Sequence, residues 1–159
     1  MIKIDKVVKN YRNVSVLNQI TATLPRGGIT AIIGANATGK STLLSVMGRL
    51  LTPECSSVSV DGHDVAKTPG ATLATLLSIL RQENHFTSRM TVYDLVGFGR
   101  YPYSRGRLTA DDRRYIDAAL AFLQLTPLQD RYLDELSGGQ RQRAYIAITV
   151  SGYRLYSVR

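Results

Sequence analysis

Cysteine is nearly missing from this 159-residue sequence: Cys55 stands alone. One thiol closes no internal disulfide and builds no thiolate metal cluster, so an oxidised scaffold is excluded and the composition suits a reducing compartment. Five prolines and thirteen glycines are too few for a fibrous or low-complexity chain. No run approaches the ~18 uninterrupted apolar residues of a membrane helix. The first ten residues alternate lysine with isoleucine and valine, without the charged cap and long apolar stretch of a secretion signal. Neither a membrane span nor a leader is expected.

What is present is ordinary in proportion, with 44% hydrophobic and 20% charged residues, and the length fits one globular domain. Twenty basic against twelve acidic residues leave a net charge of +8, which admits a phosphorylated ligand, acidic lipid or nucleic acid as partner. The excess is even: residues 1–80 carry eight basic and four acidic groups, residues 81–159 twelve and eight. Nucleic-acid binders gather their cations on one face or tail, so no nucleic-acid partner is expected.

The chain opens with strand-like segments. Ile2, Ile4, Val7 and Val8 precede Tyr11, and Ile20, Ala22 and Leu24 alternate with polar residues before Pro25, Gly27 and Gly28 turn the chain. Residues 29–33 (Ile-Thr-Ala-Ile-Ile) have no polar face beyond Thr30 and are expected as a strand buried on both sides in a parallel or mixed sheet. From Ser41, the positions Leu43, Leu44, Met47, Leu50 and Leu51 recur at helical spacing until Thr52 and Pro53. Val58 and Val60 lead into a tight turn at Asp61-Gly62, and residues 73–80 fit either helix or strand. Further on, a short helix is expected over 91–96 and an aromatic, arginine-bearing loop over 101–106. Thr109 and Asp112 form a capping box that opens a helix to Leu125. A last helix is expected from Ser137 to Val150, broken at Ser151-Gly152.

Between the strand-like run and the helix from Ser41 lies Gly34-Ala35-Asn36-Ala37-Thr38-Gly39-Lys40-Ser41. It fits the phosphate-loop spacing of glycine, four residues, glycine, lysine and serine, in the strand-loop-helix setting that spacing requires. Backbone N–H groups of the loop and of the helix start can wrap phosphate oxygens; Lys40 can reach the outer phosphates, Ser41 can take a place on Mg²⁺, and Thr42 follows in the same turn. A second constellation is Leu136-Ser137-Gly138-Gly139-Gln140, running on into Arg141-Gln142-Arg143. A serine and two glycines at a helix N-terminus favour an anion through free N–H groups and the helix dipole, although alone they also fit a plain capped helix start.

Together these motifs resemble the ATP-binding subunits of ATP-binding cassette (ABC) transporters, whose signature matches Leu136 to Gln140. The segment Phe98-Gly-Arg-Tyr-Pro-Tyr103, with Gly106-Arg-Leu-Thr109, resembles the branch that imports iron-siderophore complexes, vitamin B12 and related chelates, ferric-catecholate importers in particular. The resemblance implies an α/β P-loop fold with a helical subdomain, ATP and Mg²⁺ as cofactors, membrane permease subunits and a second copy as partners, and a peripheral position at the cytoplasmic face of the plasma membrane. It places Tyr11 against adenine, Gln82 between Mg²⁺ and the transporter contact, and Ser137 towards the nucleotide held by the other copy. The corresponding segments are a nucleotide-binding core over 1–85, a helical subdomain over 86–136, a signature helix over 137–150 and a divergent tail over 151–159.

The departures carry expectations too. Ala35 and Ala37 replace the family's proline and glycine, and alanine at 37 is strained if that position needs a positive φ. His63 and His85 lack metal-ligand spacing. The resemblance stops near residue 149, and no Asp or Glu follows Glu135. The Mg²⁺-orienting carboxylate, the glutamate base and the switch histidine therefore have no counterparts, no catalytic residue is assigned, and the C-terminal core strands are expected to be missing. The reading is an importer ATP-binding subunit in truncated, hydrolysis-deficient form; the alternative is a non-catalytic nucleotide- or permease-binding fragment.

Overall fold

The computed structural model describes residues 1–80 and 89–152, and the chain divides into two compact units, Met1–Leu77 and Ser78–Arg159. In the first unit, β1 (Ile2–Tyr11) pairs antiparallel with β2 (Val14–Leu24) and with β3 (Cys55–Val60). β3 turns at Asp61-Gly62 into β4 (His63–Asp64), giving the sheet order β2-β1-β3-β4. Ile4 and Val7, three apart, would point to opposite faces of a regular strand. A register shift between them, with Lys6 at φ 46°, turns both into the core. That core joins Ile4, Val7, Leu17, Val58, Val60 and Val65 to Val46 and Met47 of α1 (Lys40–Met47) and Leu73 of α2 (Gly70–Leu76). Gly48 closes α1, and Arg49 follows at φ 57°, so the helix stops short of Leu51 and Leu50 is exposed.

One expectation fails here. Residues 29–33 are not a buried strand: no strand pairs with them among the described residues, and Ile29 and Ile33 are 101% and 91% exposed. Their pattern asks for neighbours on both sides, and no described strand supplies either.

The second unit is helical: α3 (Val92–Gly97), α4 (Tyr101–Ser104), α5 (Ala110–Phe122) and α6 (Gly138–Gly152). Short 3-10 turns at Phe98–Arg100, Thr126–Leu128 and Leu133–Glu135 link them. Thr91 with Asp94 and Thr109 with Asp112 form capping boxes at the starts of α3 and α5. Val92, Leu95, Val96, Ile116, Ala119, Leu120, Leu125, Ala144 and Ala147 form a core that is nearly sealed from solvent.

Two further expectations change. Residues 101–106, expected as a loop, begin with α4 and turn only at Arg105 and Gly106, both at positive φ. α6 continues through Ser151 and Gly152, because the buried Ser151 hydroxyl donates to the Val96 and Ile148 carbonyls. Arg100, just before the 101–106 segment, is buried. It donates from Nε to Asp112 Oδ1 at 2.9 Å and from Nη1 to the Ser151 carbonyl at 3.0 Å, and lies over the rings of Tyr103 and Tyr115 at 4.0 and 4.3 Å. Gln82 and His85, and the tail beyond Gly152, lie outside the described residues.

Candidate functional site

The phosphate-loop residues come together at the start of α1 in the first unit. Gly39 is the N-cap at φ 86°; a Cβ there would sit 2.9 Å from the Val16 carbonyl oxygen and 3.0 Å from Leu17 Cδ2, so only glycine lets the loop lie against β2. A Cβ on Gly34 would come within 3.1 Å of Thr38 Oγ1. Thr38 Oγ1 donates to the Ala35 carbonyl at 2.9 Å, and Lys40 Nζ donates to the carbonyls of Gly34, at 2.9 Å, and of Ala35. These bonds fold the loop over the helix start with the lysine laid across its mouth. Ala37 adopts φ 63°, so the condition under which alanine there is strained is met.

No side chain caps α1 and its first turn holds no acid, so its leading N–H groups are left for a ligand. No acidic residue occurs between Asp5 and Glu54, and Lys40 forms no ion pair among the described residues. The loop, from Gly34 to Thr38, and Ser41 are exposed. An uncapped helix start, exposed loop amides and one lysine fit a polyphosphate. Among the described residues no group of three or more His, Cys, Asp or Glu side chains is placed to hold a metal ion. Tyr11, at the end of β1, is 46% exposed, with Lys9 Nζ 5.8 Å from its ring centre.

The signature residues stand in the second unit. Ser137 accepts from the Gln140 N–H at 3.4 Å, and Gln140 Oε1 accepts from the Ser137 N–H at 2.9 Å, a capping box that sequence reasoning did not single out. Gly138 and Gly139 are exposed, and a Cβ on either would meet nothing within 4 Å. The packing of this unit therefore does not require glycine at those positions, whereas close approach of an outside group would. Arg141 Nε holds the helix start to the Leu133 carbonyl at 3.0 Å, and Glu135 Oε2 accepts from the Tyr132 N–H at 2.9 Å, a structural bond.

A glycine loop closed by its lysine on a helix start, with a separate capped turn bearing two unhindered glycines, defines a phosphate-loop nucleotide-binding protein. The chain belongs to the ABC transporter family, whose model matches residues 17–154. It is 51% identical over 150 residues to the petrobactin import ATP-binding protein FatE of Bacillus anthracis, covering 94% of this chain and 60% of that protein. It is 36% identical over 149 residues to the ferric enterobactin transport ATP-binding protein FepC of Escherichia coli (strain K12), covering 92% and 55%. Among solved structures, CbiO1 of Clostridium perfringens, part of the ABC transporter complex CbiONQ, superposes with a TM-score of 0.78 at 28% identity, over 94% of this chain and 61% of that one. The chain thus spans about 60% of the length of the relatives it matches, with the fold of an ABC ATPase domain over that part.

Proposed function

We propose that this chain is the ATP-binding component of an ABC importer for an iron-siderophore complex, acting as a pair of copies beneath membrane permease subunits at the cytoplasmic face of the plasma membrane. Its similarity to import proteins for petrobactin and ferric enterobactin supports the cargo class. The observation that carries nucleotide binding is the glycine loop at the uncapped start of α1, with Lys40 as its cation. With nucleotide bound, Lys40 would exchange its two carbonyl acceptors for phosphate oxygens, the first-turn N–H groups would hold others, and Ser41 would be the side chain offered to the metal. Magnesium, when bound, neutralises charge between phosphate oxygens. Tyr11 offers a ring for the base, and Gln82 and the Ser137-Gly138-Gly139-Gln140 turn are proposed as further nucleotide contacts.

On this reading these 159 residues bind nucleotide without turning it over: Glu135, the carboxylate directly before the signature turn, is bonded within its own turn. Titration with a fluorescent ATP analogue in the presence of Mg²⁺ tests the site: Lys40→Ala abolishes binding, and equal affinity of both proteins refutes the assignment. Phosphate release that depends on Lys40 would refute the absence of turnover.

A further inference from the structure

Asp61-Gly62 is the one Asp-Gly or Asn-Gly step in the sequence. It makes the two-residue turn between β3 and β4, with Asp61 at φ 49° and Gly62 at φ 84°. Asp61 Oδ1 accepts from the Met1 amino group at 2.6 Å, and Oδ2 accepts from Arg26 Nη2 at 2.8 Å. The amino group first and Arg26 second hold this carboxyl below its ordinary value of 3.8. On the backbone side, His63 Nδ1 lies 3.2 Å from the Asp61 carbonyl oxygen, and since a carbonyl only accepts, the ring nitrogen is the donor. Gly62 is exposed, a Cβ there would meet nothing within 4 Å, and its N–H donates to no group among the described residues.

We propose that Asp61 is a site of spontaneous covalent modification, at which the backbone passes through a succinimide to isoaspartate, restrained by Arg26 and the Met1 amine and promoted by His63. The Gly62 nitrogen loses its proton and bonds to Asp61 Cγ, and the protonated carboxyl gives up one oxygen as water. A water molecule then opens the five-membered ring. Opening at Cγ restores aspartate; opening at the Asp61 carbonyl carbon leaves the chain running through the side chain, one methylene longer. Water lost and water gained balance, and no other reactant enters. Glycine puts no side chain in the way of the attack. The carboxyl must be uncharged to lose water, and both cations favour its charged form. His63 draws electron density from the peptide group that holds the Gly62 N–H, which makes that nitrogen easier to deprotonate. The product carries a free α-carboxylate in the turn, the group that a repair methyltransferase using S-adenosylmethionine would take as substrate. The site shares no residue with the phosphate loop and stands independently of nucleotide binding.

The test incubates the folded protein at neutral pH and follows isoaspartate by methyl transfer from labelled S-adenosylmethionine with a protein-isoaspartate methyltransferase. Mass spectrometry of the tryptic peptide 50–67 places the label. Label is expected in that peptide. Arg26→Gln should speed its appearance about two- to fivefold, the weight of one exposed ion pair. His63→Ala should slow it about twofold or more, the weight of one hydrogen bond. Both side chains are exposed, so neither change opens the core. The opposite signs separate the proposal from simple loosening of the turn, which would speed both variants. Label confined to other positions, no acceleration by Arg26→Gln, or no slowing by His63→Ala would each overturn the proposal.

Discussion

The two units treat their most apolar segments in opposite ways. In the second, Val92, Leu95, Val96 and Ile116 are fully buried by helices that satisfy their own backbone hydrogen bonds. In the first, Ile29 and Ile33 stand in solvent directly before the phosphate loop. A helix needs one apolar stripe covered, and three or four short helices can cover one another. A central strand needs covering on two faces and pairing on two edges, and the described sheet provides neither for residues 29–33. The difference teaches that burial of a strand is a property of its neighbours.

The largest expected effect belongs to the sealed unit. Arg100→Met leaves Asp112 buried without its partner and should destabilise the chain by about 3–5 kcal/mol in urea unfolding. The same pair gives an acid limb. Burial pushes the Asp112 carboxyl up, but the Thr109 N–H and hydroxyl and the Arg100 guanidinium outweigh it and hold it below the ordinary value of 3.8. Because the folded value is the lower one, this stabilisation is complete above the ordinary value and is lost as pH falls through the lowered one. Arg100→Met should flatten that limb. Next comes the direct contrast: Leu95→Ala should lower stability by about 2–5 kcal/mol, whereas Ile33→Ala should change it by less than about 0.5 kcal/mol. Equal losses at both positions would break the comparison.

Gly99→Ala should cost about 1–3 kcal/mol, since a Cβ there would overlap the Ile148 carbonyl and the Ser151 hydroxyl and push α6 away. The smallest effect is a gain. Ala37→Gly relieves a residue held at φ 63° and should stabilise the first unit by about 0.5–1 kcal/mol, less than the full left-handed penalty because glycine also frees the unfolded chain. Thermal unfolding of matched proteins measures both.

What the sequence disclosed was local. The phosphate loop, the turn at Asp61-Gly62, the short helix after Thr91 and the box at Thr109 are each set by residues a few positions apart, and each stands where the pattern placed it. Non-local facts were out of reach. Residues 29–33 read as buried because pattern records what a segment suits, and not what lies beside it. The burial of Arg100 had no local signal, because its partners, Asp112 and the Ser151 carbonyl, lie 12 and 51 positions away. The Ile4 and Val7 spacing fits no regular strand until a bulge at Lys6 is allowed.

Asp112 divides its two oxygens: Oδ2 accepts from the Thr109 N–H and hydroxyl at 3.0 and 2.7 Å, and Oδ1 accepts from Arg100. This division has a kinetic meaning. A box between residues three apart forms on the sub-microsecond timescale of helix initiation, and closing the short loop back to Arg100 takes roughly 10–100 ns. Neither event waits on the rest of the fold, and the cap fixes the carboxylate's direction, removing the orientational freedom that ordinarily weakens a buried ion pair. The Ser151 carbonyl of α6 adds the contact of longest sequence separation to the same guanidinium.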